Sequence, residues 1–203
     1  MSPHQIGLVS LVICMVGPLP YTYRVLQGKI RPQIVSWLLW SFIGLALLLT
    51  YRSAGAGDNI WPAVAGFVNP TLIALLALWR RNGWGALLWS DYLCGAAGLA
   101  SLALWAYVHG DQEAAQYALY LAIFADLCAA IPTIRAAYLT PEEDRPYAWF
   151  IWAVGVFISL FAITDYTFTN FAYPVYMIIG ASSVALLLAR YRIQERCPIT
   201  EWI

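Results

Sequence analysis

The chain has 203 residues, of which 62% are hydrophobic and 15% aromatic, while only 11% carry a formal charge. Average soluble domains hold about 25% charged residues, so this composition excludes an ordinary cytosolic domain, a disordered chain and a nucleic-acid binder. Eleven basic and eleven acidic side chains cancel, and the mean hydropathy of +0.67 is that of an all-α polytopic membrane protein with little outside the bilayer.

A spanning helix needs about 20 mostly apolar residues. In chain order the apolar runs predict seven spans, at 5–26, 33–51, 60–79, 86–108, 114–136, 147–165 and 171–190. The breaks between them carry charge, Gly or Pro: Gln27 to Pro32, Ser53 to Asn59, Arg80 to Gly83, His109 to Glu113, Thr140 to Pro146 and Asp165 to Asn170. None is long enough for a soluble domain. Met1 to Gly7 lacks Lys and Arg, so no cleavable signal is expected. Cys14, Cys94, Cys128 and Cys197 lack metal-ligand spacing and read as small core residues. The single lysine, Lys29, falls in a loop, which excludes a retinal Schiff base. His4 and His109 are peripheral, and no phosphate loop or nucleophile elbow is present. The expectation is a non-enzyme without metal or cofactor.

Positive charge sets the expected topology. The N-terminus and the loops after spans two, four and six hold Arg52 alone. The other loops and the C-terminus hold Arg24, Lys29, Arg31, Arg80, Arg81, Arg135, Arg145, Arg190, Arg192 and Arg196. The N-terminus is therefore expected outside and the C-terminus in the cytoplasm.

Five identities recur at a gap-free offset of 112: Pro20 and Pro132, Trp37 and Trp149, Trp40 and Trp152, Pro62 and Pro174, Arg80 and Arg192. This maps spans one to three onto spans five to seven and leaves span four as a connector. An odd connector makes the repeats parallel. The expected organisation is a first three-helix repeat at 1–81, a linker helix at 82–110, and a second three-helix repeat with a short tail at 111–203.

Three helices, one linker and three helices resemble the SWEET and PQ-loop transporters. Pro20, Lys29, Arg31, Ser36, Trp40 and Gly44 in the first repeat, and Pro132, Arg145, Trp152 and Gly155 in the second, follow the PQ-loop pattern, with Tyr21 and Thr133 where its glutamine stands. The paired Trp-x-x-Trp is similar to a motif of nicotinamide-riboside-type vitamin transporters. The resemblance implies an alternating-access carrier or facilitator for a small molecule. It implies a substrate-binding asparagine on the third repeat helix, a position that Asn69 matches; the repeat mate of Asn69 is Ala181, flanked by Ser182 and Ser183.

Pro20 and Pro132, read as mid-helix residues near the inner ends, are candidate hinges or static kinks. Pro62 and Pro174 are expected in first turns. Trp40 and Trp152 either face a substrate or pack against lipid and neighbouring helices. Asn69 binds substrate or bridges helices. Asp126 lies near the middle of span five, where a carboxylate is costly. It is a proton-coupling or substrate-binding acid, or a structural acid paired with Tyr, Ser or Asn on another helix. The acidic loop Glu142-Glu143-Asp144 is expected to pair with Arg135 or the C-terminal arginines.

These readings converge on a pocket lined by Trp40, Asn69, Asp126, Trp152, Ser182 and Ser183 for a small neutral or zwitterionic metabolite such as a sugar, amino acid or vitamin. The expected location is a bacterial-type inner membrane. The expected partners are substrate and bilayer, without nucleic acid, and a homo-oligomer stays open. The alternative is a receptor or scaffold that does not transport, since fold alone does not fix function.

Overall fold

A computed structural model of the chain describes residues 1–87, 89–108 and 110–203. His109, in the fourth expected break, and Leu88, in the fourth expected span, lie outside it. The described residues form α1 (Pro3–Val16), α2 (Leu19–Leu26), α3 (Ile34–Ser53), α4 (Trp61–Trp79), α5 (Trp89–Val108), α6 (Gln112–Leu139), α7 (Pro146–Ser159) and α8 (Phe168–Gln194). α1 and α2 follow each other as one apolar stretch, Pro3–Leu26; counted so, six helices are long and apolar enough to cross a membrane. The seventh is shorter than the sequence suggests. α7 and its 3₁₀ extension end at Ala162, about 25 Å of helix at ~1.5 Å per residue, because Ile163 turns to extended backbone.

Local chemistry sets the helix ends. Ser2 and Gln5 form a reciprocal capping box on α1. The Asp111 side chain accepts from the Glu113 and Ala114 amides, starting α6 before its apolar run. Thr167 caps α8 through the Asn170 amide, one turn earlier than hydropathy suggests. Pro174 consequently lies inside α8, and only Pro62 occupies a first turn as expected. Pro20 is also displaced from its expected mid-helix place. The helix breaks at Gly17–Pro18, and Pro20 falls in the first turn of α2, where its missing amide is tolerated. Pro132 is inside α6, as expected.

α3 packs against α4, α5 and α6; α1 against α4 and α7; α6 against α5 and α8; and α7 against α8. Glycine is required where helices approach most closely, as at two crossings. A Cβ on Gly44 would lie 2.5 Å from the Gly66 carbonyl oxygen, and one on Gly155 would lie 2.5 Å from Cys14 Sγ. Ser10 Oγ donates to the Gly155 carbonyl at 2.7 Å beside the second crossing. Small residues let helices approach where lipid supplies no hydrophobic drive between them. The inward face of α6 follows the same rule, with Ala115, Ala118, Ala122, Ala125 and Ala129 buried. The outer surface is apolar too: Leu75, Phe161, Ile179 and Leu186 are exposed, as on a lipid-facing bundle.

Side-chain and loop contacts define the two ends of the bundle. At one end, His4 Nδ1 meets Asp58 Oδ1 at 3.0 Å, and Trp105 Nε1 donates to Ser53 Oγ at 2.8 Å. At the other, Arg80 donates to the Leu26 carbonyl at 2.8 Å, and the Tyr147 amide donates to the Trp202 carbonyl at 3.1 Å. Arg52 bonds Ala56 at the first end. Arg192 reaches the acidic loop at the second, but through backbone: its guanidinium donates to the Glu142 and Asp144 carbonyls at 3.4 and 2.8 Å, and to the Glu201 carbonyl at 3.1 Å. The carboxylate of Asp144 instead accepts from Trp149 Nε1 at 2.8 Å.

Candidate functional site

A proline inside a helix leaves the carbonyl four residues earlier without its amide donor. Pro18 leaves the carbonyl of Cys14 free, and Asn69 Nδ2 from α4 donates to it at 3.2 Å. Pro174 leaves that of Asn170 free, and the Tyr51 hydroxyl from α3 donates to it at 2.8 Å. Both acceptors are backbone groups turned into interhelical contacts by a proline. Buried carbonyls left unpaired are costly, so these donors hold the helices together.

Asp126 is 6% exposed. Tyr176, on α8, donates its hydroxyl to Asp126 Oδ2 at 2.7 Å. One turn before it on α8, Tyr173 is buried and packs on Tyr51, with ring centroids 4.8 Å apart. A Cβ on Gly66 would lie 3.4 Å from Trp152 Cη2 and 3.6 Å from the Tyr173 hydroxyl. Trp152 and Tyr173 therefore both approach the glycine of α4. Trp152 also packs on Cys14, Ala65 and Val156.

The structure thus gathers Asp126 with Tyr176, Asn69 with Cys14, and Trp152 and Tyr173 each with Gly66. Trp40 packs on the cluster that holds Ile43, Tyr51, Cys128, Ala129 and Tyr173, and no ring contact joins it to Trp152 among the described residues. Ser183 Oγ donates to the Ile179 carbonyl of its own helix at 2.7 Å, and Ser182 is half-buried. Tyr176, Tyr173, Tyr51 and Cys14 are the members that sequence reasoning missed.

Toward the Arg52 end, a polar layer covers this centre. Tyr51 accepts from Asn59 Nδ2. Asn170 Nδ2 donates to the Asp165 carbonyl at 2.9 Å. Tyr51, Asn59 and Asn170 are all fully buried. Asn170 Oδ1 and Trp61 Nε1, also in this layer, are buried without a hydrogen-bond partner among the described residues. At the opposite end positive charge is crowded: burial first, then the charges of Arg24 and Arg192, lower the Arg145 pKa from its ordinary value. Among the described residues, no group of three or more His, Cys, Asp or Glu side chains could hold a metal ion.

Comparisons with protein-family models, curated proteins and solved structures each return no match.

Proposed function

We propose that the chain is an alternating-access carrier or facilitator for a small neutral or zwitterionic metabolite, built as two parallel three-helix repeats around a linker helix. The observation that carries this reading is the buried Asp126–Tyr176 pair. An ionisable group at that depth is costly and marks a functional site by default. Asp126 binds a polar group of the solute or a proton, and Trp152 and Tyr173 offer aromatic surface beside it.

The repeat reading has support from packing. At the offset of 112, α1, α3 and α4 correspond to α6, α7 and α8. The contacts of α1 with α4 and α3 with α4 then have counterparts in α6 with α8 and α7 with α8. The contact of α1 with α7 has its counterpart in α6 with α3. Six membrane-length helices and the crowding of basic residues at one end support a membrane orientation with that end in the cytoplasm. A bacterial-type inner membrane and the SWEET and PQ-loop resemblance belong to the same proposal. In it, the layer of Tyr51, Asn59 and Asn170 is a closed outer gate, and its two unpartnered polar atoms find partners when it opens.

The rival reading is a receptor or scaffold. The capping of Asp126 by Tyr176 favours it, because a satisfied acid can serve structure alone. A thermal-shift screen of purified wild type and Asp126→Asn with sugars, amino acids, nucleosides and vitamins across a range of pH separates the two. A carrier gives a ligand-dependent shift that the variant loses. No shift with any ligand, together with a variant as stable as wild type at every pH, supports the scaffold.

A further inference from the structure

A cleft of about 410 Å³ opens at the basic end of the bundle, between the α2–α3 loop and the end of α4, lined by Gly28, Arg31, Arg80, Arg81 and Asn82. Three guanidinium groups line it, and no carboxylate lies within ion-pair distance of any of them among the described residues. The one ion pair among the described residues, His4 with Asp58, is at the opposite end of the bundle.

The cleft has a fixed frame. α4 ends with the Asn82 amide bonded to the Ala77 carbonyl at 3.0 Å and Arg81 in the left-handed region at φ 53°. Arg80 is tied to the Leu26 carbonyl and Asn82 Nδ2 to the Pro32 carbonyl at 3.3 Å. The Ile34 and Val35 amides donate to the Gly83 and Trp84 carbonyls at 3.2 and 3.1 Å. Among the described residues the guanidinium groups of Arg31 and Arg81 make no hydrogen bond or ion pair, so their side-chain donors are free for a ligand.

Its surroundings place it at a lipid boundary. Trp79 and Trp84, which adjoin the lining residues Arg80 and Gly83, stand exposed at 70% and 60%, and Arg80 lies over the Trp79 ring, 5.9 Å from its centroid. Tryptophan gathers at headgroup depth, half in hydrocarbon and half in water. Basic pockets at that level bind lipid phosphates, and arginine forks match phosphate oxygens. The second cleft at this end, about 270 Å³, has Arg190 as its single lining arginine.

We propose that the cleft of Arg31, Arg80 and Arg81 holds the phosphate of an anionic phospholipid headgroup, with Arg31 and Arg81 as its free donors. Native mass spectrometry of the full chain, with phosphatidylglycerol or phosphatidylcholine added, tests this. Wild type retains phosphatidylglycerol over phosphatidylcholine. Arg31→Gln combined with Arg81→Gln weakens that retention about tenfold, while Arg190→Gln leaves it unchanged. Circular dichroism confirms that the double variant is folded; if it is not, the single Arg31→Gln at an exposed loop position replaces it, with a smaller loss in the same direction. Equal retention of the two lipids by wild type, or full retention by the folded variant, overturns the proposal. So does displacement of phosphatidylglycerol by an equal concentration of inorganic phosphate, which would mark a site for free anions.

Discussion

Cys14 and Asp126 stand 112 residues apart in the two halves of the chain, and each is the point at which a helix is bridged to its neighbour. In the first half, α4 reaches α1 through Asn69 and the Cys14 carbonyl. In the second, α8 reaches α6 through Tyr176 and the Asp126 carboxyl. The first bridge uses a backbone acceptor released by Pro18 and carries no ionisable group. The second uses a side chain that can gain or lose a proton. The difference teaches that one position can be spent on fixed structure in one half and on adjustable chemistry in the other.

Five substitutions sharpen or break that comparison. The largest effect belongs to the tight crossings, one within the first half and one between the halves. Gly44→Val or Gly155→Val drives a side chain into the Gly66 carbonyl or Cys14 Sγ and costs about 3 kcal/mol or prevents folding, measured by unfolding in detergent. Tyr176→Phe leaves Asp126 without its donor and costs about 2 kcal/mol; that cost differs between about pH 5 and about pH 8, because the acceptor is ionisable. Asn69→Leu costs about 1 kcal/mol, in the range of interhelical hydrogen bonds in membranes. Its cost is the same at both pH values, and a matching pH dependence would erase the distinction between the bridges. Ser183→Ala removes only a bond within α8 and changes stability by less than about 0.5 kcal/mol.

Much of this was legible in the sequence, and the omissions have physical causes. The spans were legible because apolar runs of membrane length leave few alternatives. Asp126 was visible because a charge inside such a run stands out. Its partner was not: thirteen tyrosines share the chain, and which one faces α6 depends on how α8 packs. The partner of Asn69 is a carbonyl, which every residue carries, and only the break at Pro18 makes it available. The choice of Pro18 over Pro20 as the break, and the early start of α8, follow from local backbone bonding that hydropathy does not register. Trp40 and Trp152 match in sequence depth, yet they pack in different clusters, because their helices meet different neighbours.

The central claim is that the two halves move against each other and open the polar layer above Asp126. Thr169 lies in that layer at 7% exposure, near the Tyr120 hydroxyl at 3.3 Å. Labelling Thr169→Cys in a Cys197→Ser background with a membrane-impermeant thiol reagent, in intact cells, tests the claim without knowledge of the solute. A carrier exposes this position from outside, and the cysteine reacts to completion within minutes while Cys14, Cys94 and Cys128 stay protected. A cysteine that remains unreactive until the protein is denatured would contradict alternating access and leave a static scaffold.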